Sequence, residues 1–309
     1  MLPSQYTNHI MMVRPANFGF NPETADSNSF QVDDGRMTRQ QIAERAVSEF
    51  DAVVESLLEC NVDVFIVDDS PNPVKTDAIF PNNWISFHRT GQVVTYPMMS
   101  KTRRLEIRPE IIQDLEVHFA VSETWQLNDQ SANDYLEGTG SMVLDRVNRI
   151  VYACRSPRTN EKLLGMFCER LDYRSVVFDA VDDQHQPIYH TNVMMFVTEK
   201  LVGVCLQAIP SEAERTLITE SIRSSGKDLL VLRAEQINQF AGNMLQVGVP
   251  GKRPYLVMSK SARESLDEEQ VATLEKESEL LTVAIPVIEQ YGGGSIRCML
   301  AEIFLPSRD

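Results

Sequence analysis

Short apolar runs alternate with amphipathic stretches along this chain in one recurring order. From residue 141, SMVLD and RIVYA flank the turn residues RVN, and both are rich in the branched and aromatic residues that strands favour. RTNEKLLGMFCERL follows, with Leu163, Leu164, Phe167, Cys168 and Leu171 at helical spacing on one face, and then the strand SVVFDA. The order strand, strand, helix, strand returns with NVMMFV, LVGVCL, a helix over roughly 211–224 and DLLVL. It returns again with MLQVGV, YLVMS, a helical stretch over roughly 261–277 and LLTVAIP. Upstream the same order reads as WISFH, QVVTY, a helical stretch in KTRRLEIRPEIIQDL and VHFAV, where Pro109 makes the helix irregular or sits in its first turn.

Four units are thus continuous in sequence. A fifth is assembled only from both ends: MLAEIFL, then HIMMVR, a long helix around Met37 to Cys60, and VDVFIV. Repeats of this length that cannot each close a core stack on one another, as an open solenoid or a closed ring. Splitting one unit between the termini favours the ring, because closure buries two end faces that an open array would have to cap. An irregular α/β sandwich with connections that only look periodic is the alternative. Residues 1–309 are read as a single α/β domain closed by pairing of its N- and C-terminal strands.

Composition narrows the function classes. The formal net charge of −15 and the absence of a long basic stretch argue against nucleic acid as a partner. No run of 18 or more apolar residues is present, and MLPSQYTNHIMMVRP lacks the layout of a secretory signal, so a cytoplasmic protein with no membrane partner is expected. The five cysteines, at 60, 154, 168, 205 and 298, form neither a CxxC pair nor a zinc-type cluster with histidine. A homo-oligomer is compatible with all of this.

Chemically loaded residues recur just before or at the first strand of each unit: Asn83, Glu137, His190, Asn243 and Cys298, spaced 53 to 55 residues apart. In a ring, equivalent places point to one axis, so a thiol, an imidazole, a carboxylate and two amides converge. Taken alone, Cys298 is a small hydrophobe, His190 a core or surface histidine, and Glu137 a turn carboxylate. Together they suit attack of sulfur on a planar, nitrogen-rich carbon, with the imidazole as general acid and base. The glycines of EGTG after Glu137, and of the run 292–294 before Cys298, would let a ligand approach the backbone. A guanidinium substrate calls for carboxylates on its N–H groups, whereas amides such as Asn82 and Asn83 both donate to and accept from a neutral urea group.

GGGSIRCM, the EG of 137–138, the histidine of YHTNVMMF and the RSPRTN segment resemble the guanidine-modifying, or pentein, superfamily across essentially the whole chain. MMVRPANFGFNPETADSNSFQ and DAIFPNNWISFHRTGQVVTYPM are most similar to its amidinotransferase-related branch associated with citrulline hydrolysis. The resemblance implies a five-bladed α/β propeller with pseudo-fivefold symmetry. It also implies Cys298 as nucleophile, His190 as general acid and base, Glu137 as their acidic partner, and Arg158 on the substrate α-carboxylate. Relatives that process arginine place an acidic residue in the segment corresponding to FPNNW, where this chain has Asn82 and Asn83, and commonly another two positions after the histidine, where it has Asn192.

The expected function is therefore hydrolysis of the ureido carbon of citrulline to ornithine, carbon dioxide and ammonia, without metal or organic cofactor. Asn82, Asn83, Arg158, Asn192 and Asn243 are the expected substrate-binding residues. The rivals are a deiminase or amidinotransferase acting on arginine or another guanidino compound, a non-catalytic amino-acid-binding protein, and an interaction scaffold.

Overall fold

The structure, a computed structural model, describes residues 4–25, 28–127 and 133–308. The described residues form five three-stranded sheets. In chain order the first four blades are Ile85–Phe87, Gln92–Thr95 and Glu123–Gln126; Val143–Asp145, Ile150–Cys154 and Arg174–Phe178; Met195–Val197, Leu201–Val204 and Asp228–Val231; and Leu245–Val247, Tyr255–Ser259 and Glu279–Val283. Each opens with an antiparallel hairpin and adds a parallel third strand after a helical crossover. The fifth blade joins the termini. Ala301–Glu302 pairs antiparallel with His9–Arg14 through Ile10 opposite Glu302 and Met11 opposite Ala301, and Asp63–Asp68 adds in parallel.

Local signals account for the crossovers. Asn160 caps the helix Glu161–Leu171 by accepting from the backbone of Lys162 and Leu163, and all five residues placed on its apolar face are buried. Thr38 and Gln41 cap the helix Arg39–Glu59 reciprocally. The helix expected over 261–277 is two, Lys260–Ser265 and Glu268–Glu275, because Asp267 and Gln270 form a capping box that starts a new helix. Pro109 occupies the first turn of Pro109–Leu115, where its missing N–H costs nothing.

One expected strand is displaced. VHFAV carries no strand; the third strand of the first blade is Glu123–Gln126, paired in parallel with Gln92–Thr95. Phe119 instead enters the apolar core and bridges to Ser307, while the edge strand alternates half-buried and exposed side chains. An edge strand with one wet face is polar in sequence and loses to the apolar run beside it.

The core lies between neighbouring blades. Ile10, Phe50 and Val53 of the fifth blade pack with Val257 and Val283 of the fourth, whereas Met11 and Ile303 pack with Ile85 and Val93 of the first. The closing blade therefore has apolar contacts on both sides, and the result is a five-bladed α/β propeller. No helix among the described residues is long and apolar enough to cross a membrane.

Phe50 is fully buried where the long helix meets the closing blade. Phe50→Ala should lower the unfolding free energy by about 3–5 kcal/mol, measured by urea denaturation. A loss under about 1 kcal/mol would show that this packing does not hold the ring shut.

Candidate active site

Short turns precede the first strands and meet around the propeller axis. The residue three before each first strand is Asn82, Gly140, Asn192, Gly242 or Cys298 in successive blades. The evenly spaced residues singled out in the sequence are not structurally equivalent: Asn83 and Asn243 lie two before their strands, His190 five and Glu137 six. His190 precedes the turn Thr191–Val193, while Cys298 lies within the turn Ile296–Met299. They converge because the turns differ in length and project side chains from different steps.

The EGTG glycines make room for neighbouring blades. A Cβ on Gly140 would stand 2.3 Å from Asn83 Nδ2 and 2.8 Å from the His190 ring. Gly138, at φ +46°, would place one 2.3 Å from the Asn82 carbonyl oxygen. Close approach is thus required by the fold at 138–140, not by a ligand as expected. Gly292 and Gly294 lie against the Phe80 ring, and the run 292–294 also lines the recess described next.

A recess of about 300 Å³ is walled by Cys298, His190, Asn83, Arg158 and Asp77, among others. Behind it, Glu137 Oε2 lies 2.8 Å from His190 Nε2 and 3.4 Å from an Arg158 amino group, and its Oε1 accepts the Met99 backbone N–H at 2.9 Å. Burial acts to raise the Glu137 pKa, but Arg158 and then His190 outweigh it and hold the carboxyl well below the usual range. Burial likewise pushes His190 down to about 4, against the pull of Glu137. At neutral pH the pair is therefore an ionised carboxylate and a neutral imidazole. Because the carboxylate only accepts, Nε2 carries the hydrogen and Nδ1 keeps a lone pair.

Two amides converge on the Cys298 sulfur, Asn192 Nδ2 at 3.5 Å and Asn243 Nδ2 at 3.3 Å. The sulfur is buried among apolar residues on one side and faces the recess on the other. Glu289 anchors the approach to it, accepting from Ser295 at 2.7 Å and Ser261 at 2.6 Å. Asn82 is fully buried, with Nδ2 on the Thr139 hydroxyl at 3.3 Å. Asn82, Asn192, Asn243 and Glu137 stand behind the recess; Asn83 and Arg158 face it. The remaining cysteines are elsewhere: Cys154 and Cys168 lie in apolar cores with thiols pushed up to about 11 by burial, Cys205 is buried, and Cys60 is half-buried.

Three residues missed in the sequence complete the site. Arg103 donates to both Glu106 oxygens at 2.9 and 3.0 Å, to the Phe80 carbonyl at 3.1 Å and to Asn83 Oδ1 at 2.9 Å. That last contact fixes the Asn83 amide, since guanidinium only donates. Asn83 Nδ2 is buried without a hydrogen-bond partner. Asp77 accepts from Asn21 Nδ2 at 2.7 Å, its Oδ1 has no hydrogen-bond partner, and burial pushes its carboxyl up. Tyr189 lies beneath Arg158, 4.8 Å from ring centre to guanidinium carbon, and donates to the Gly293 carbonyl at 2.7 Å. The sequence places Arg103 only in a helical stretch and gives Asp77 no role; a contact between distant segments is what brings either to the recess.

His190 should titrate near pH 4 in an imidazole NMR experiment, and Glu137→Gln should lower that value, since the carboxylate favours the protonated ring. The unfolded chain takes this proton near pH 6.5 and the folded one refuses it until about 4, so the contribution of neutral His190 to stability is lost as pH falls through that window. A His190 titration near 6.5 in the folded protein would remove the buried-pair description.

The family model for N,N dimethylarginine dimethylhydrolase, eukaryotic, matches residues 14–305. No curated protein matches the sequence. Among solved structures, the substrate-bound N-terminal domain of ArgZ, an arginine dihydrolase from the ornithine-ammonia cycle in cyanobacteria, is 16% identical with a TM-score of 0.74, covering 96% of this chain and 98% of that one. Unliganded AgrE is 17% identical at a TM-score of 0.74, over 97% of this chain and 40% of that one. A dimethylarginine dimethylaminohydrolase adduct with S-methyl-L-thiocitrulline is 14% identical at a TM-score of 0.65, over 96% and 99% of the two chains. At these identities the likeness is one of fold. The five-bladed ring and the family match over most of the length agree, and this chain belongs to the N,N dimethylarginine dimethylhydrolase family, eukaryotic type, a hydrolase family of the pentein superfamily.

Proposed function

We propose that the chain is a cysteine hydrolase of the citrulline ureido group, within the amidinotransferase-related branch that its sequence resembles. The observation that carries this reading is the fixed Asn83 amide. Arg103 occupies Oδ1, so the polar atom of Asn83 left for a ligand is the N–H donor Nδ2, buried and without a hydrogen-bond partner. A ureido oxygen accepts from that donor. A guanidinium presents only N–H groups, which meet Nδ2 donor to donor, so at Asn83 its charge loses water and gains no acceptor, and Asp77 alone is left to face it. Asp77 supplies an acceptor for a ureido N–H in the same recess, and Arg158 takes the α-carboxylate.

In this mechanism His190 Nδ1 takes the Cys298 proton, and the sulfur attacks the ureido carbon while the Asn192 and Asn243 amides steady its charge. A C–N bond then breaks, and the departing nitrogen takes the proton from His190. Glu137, already ionised, offsets the imidazolium formed in between. Water, deprotonated by the same imidazole, cleaves the S-linked carbonyl and restores the thiol, giving ornithine, carbon dioxide and ammonia in sum. A second reading, hydrolysis of arginine, is favoured by one feature, the Asp77 carboxylate, which would suit a guanidinium.

Cys298→Ser should keep the fold, checked by circular dichroism, and lower kcat on citrulline by a factor on the order of 10³ or more. Asn83→Asp should lower kcat/KM for citrulline by roughly tenfold and raise that for arginine relative to it, because the second carboxylate oxygen replaces a donor with an acceptor. Following ammonia and ornithine from each substrate decides between the readings. A parent enzyme faster on arginine, with a ratio untouched by Asn83→Asp, would sink the ureido assignment.

A further inference from the structure

A second polar cleft lies at the far end of the same strands. In the first two blades the first strands, Ile85–Phe87 and Val143–Asp145, run from the axial turns to the hairpins at 88–92 and 146–149. Between these hairpins and the end of the helix Glu161–Leu171 is a cleft of about 680 Å³ walled by Arg89, Arg146, Arg149 and Arg170. Four guanidiniums gather here in a chain with 44 acidic residues and 29 basic ones.

Their partners are unequal. Arg170 is paired with Glu123, and Arg146 with Glu302 at 3.5 Å. Arg89 and Arg149 are exposed and have no ion pair among the described residues; each donates to a backbone carbonyl, Ser4 and Leu171 respectively, at 2.9 Å. Glu199 acts on Arg89 only from beyond ion-pair distance. Asp172 contributes a carboxylate to the wall. His88, buried there, is held neutral by burial and then by Arg146 and Arg149. Aromatic faces hold the guanidiniums in place: Phe304 lies 4.8 Å from Arg89 and 4.0 Å from Arg146, and Tyr173 lies 5.6 Å from Arg149. Guanidiniums braced on rings and backbone, with donors left over, are preorganised for oxyanions.

We propose that this cleft is a binding site for a small multivalent oxyanion, separate from the Cys298 recess. Phosphoryl and polycarboxylate groups share the required chemistry, since both accept paired N–H donors from a guanidinium. Arg89 and Arg149 supply the charge, and Arg146 and Arg170 form the walls.

The test is calorimetric titration of the full chain with pyrophosphate and, separately, tricarballylate, each against sodium chloride at equal ionic strength. Saturable one-to-one binding of either anion, weakened about tenfold or more by Arg89→Gln and by Arg149→Gln, supports the site, and the tighter of the two identifies the source of the oxyanion. Thermal unfolding without ligand checks that the variants fold, and Arg149→Lys should recover part of the affinity. Absence of saturable binding, an effect that chloride reproduces, or variants that bind as tightly as the parent would overturn the proposal.

Discussion

The molecule depends on closure of the ring through two opposed residue pairs, Ile10 with Glu302 and Met11 with Ala301. A ladder this short contributes little by itself, because each backbone hydrogen bond nets only about 1 kcal/mol. It is held by apolar packing on both sides, where Phe50 and Val53 meet the fourth blade and Met11 and Ile303 meet the first. Closure also sets the chemistry. Cys298 lies three residues before Ala301, so the pairing that completes the fifth blade delivers the thiol to the Asn192 and Asn243 amides of other blades.

The axis then has to hold charge without water. Glu137, Arg158, Arg103, Glu106 and Asp77 are all buried, and each has a partner of opposite charge or a hydrogen-bond donor. Isolated, any of them would be costly; together they orient one another. The consequence is that neutral side chains inherit fixed roles. His190 presents one defined nitrogen lone pair because Glu137 takes the hydrogen on the other, and Asn83 presents its donor because Arg103 takes its acceptor. The same economy extends along the axis, where Glu302 receives Arg297, next to Cys298, and also Arg146, which reaches the opposite cleft.

The strand, strand, helix, strand order, the split fifth unit and the apolar helix face from Leu163 to Leu171 were legible because strand and helix burial impose periods of two and near four on local sequence. The third strand of the first blade was not, since an edge strand with a wet face carries no such signal, and ETWQ lost to VHFAV. The loaded residues at the axis were legible as types near strand starts. Their even spacing, though, was not structural equivalence, because turns of unequal length preserve the count while shifting the side chains.

Sequence by itself determined the blade repeat, the need for closure, and a thiol, an imidazole and a carboxylate at the converging ends. Periodicity and residue chemistry are local properties, and these follow from them. Tertiary structure alone decided which face each group presents: that Gly140 yields its Cβ volume to Asn83 and His190, that Asp77 and Arg103 join the recess, and that four arginines meet at the far hairpins. Each of these is a contact between segments far apart in the chain, made by packing whose partners no local pattern names, and the orientation of an amide or an imidazole exists only once its neighbour is in place.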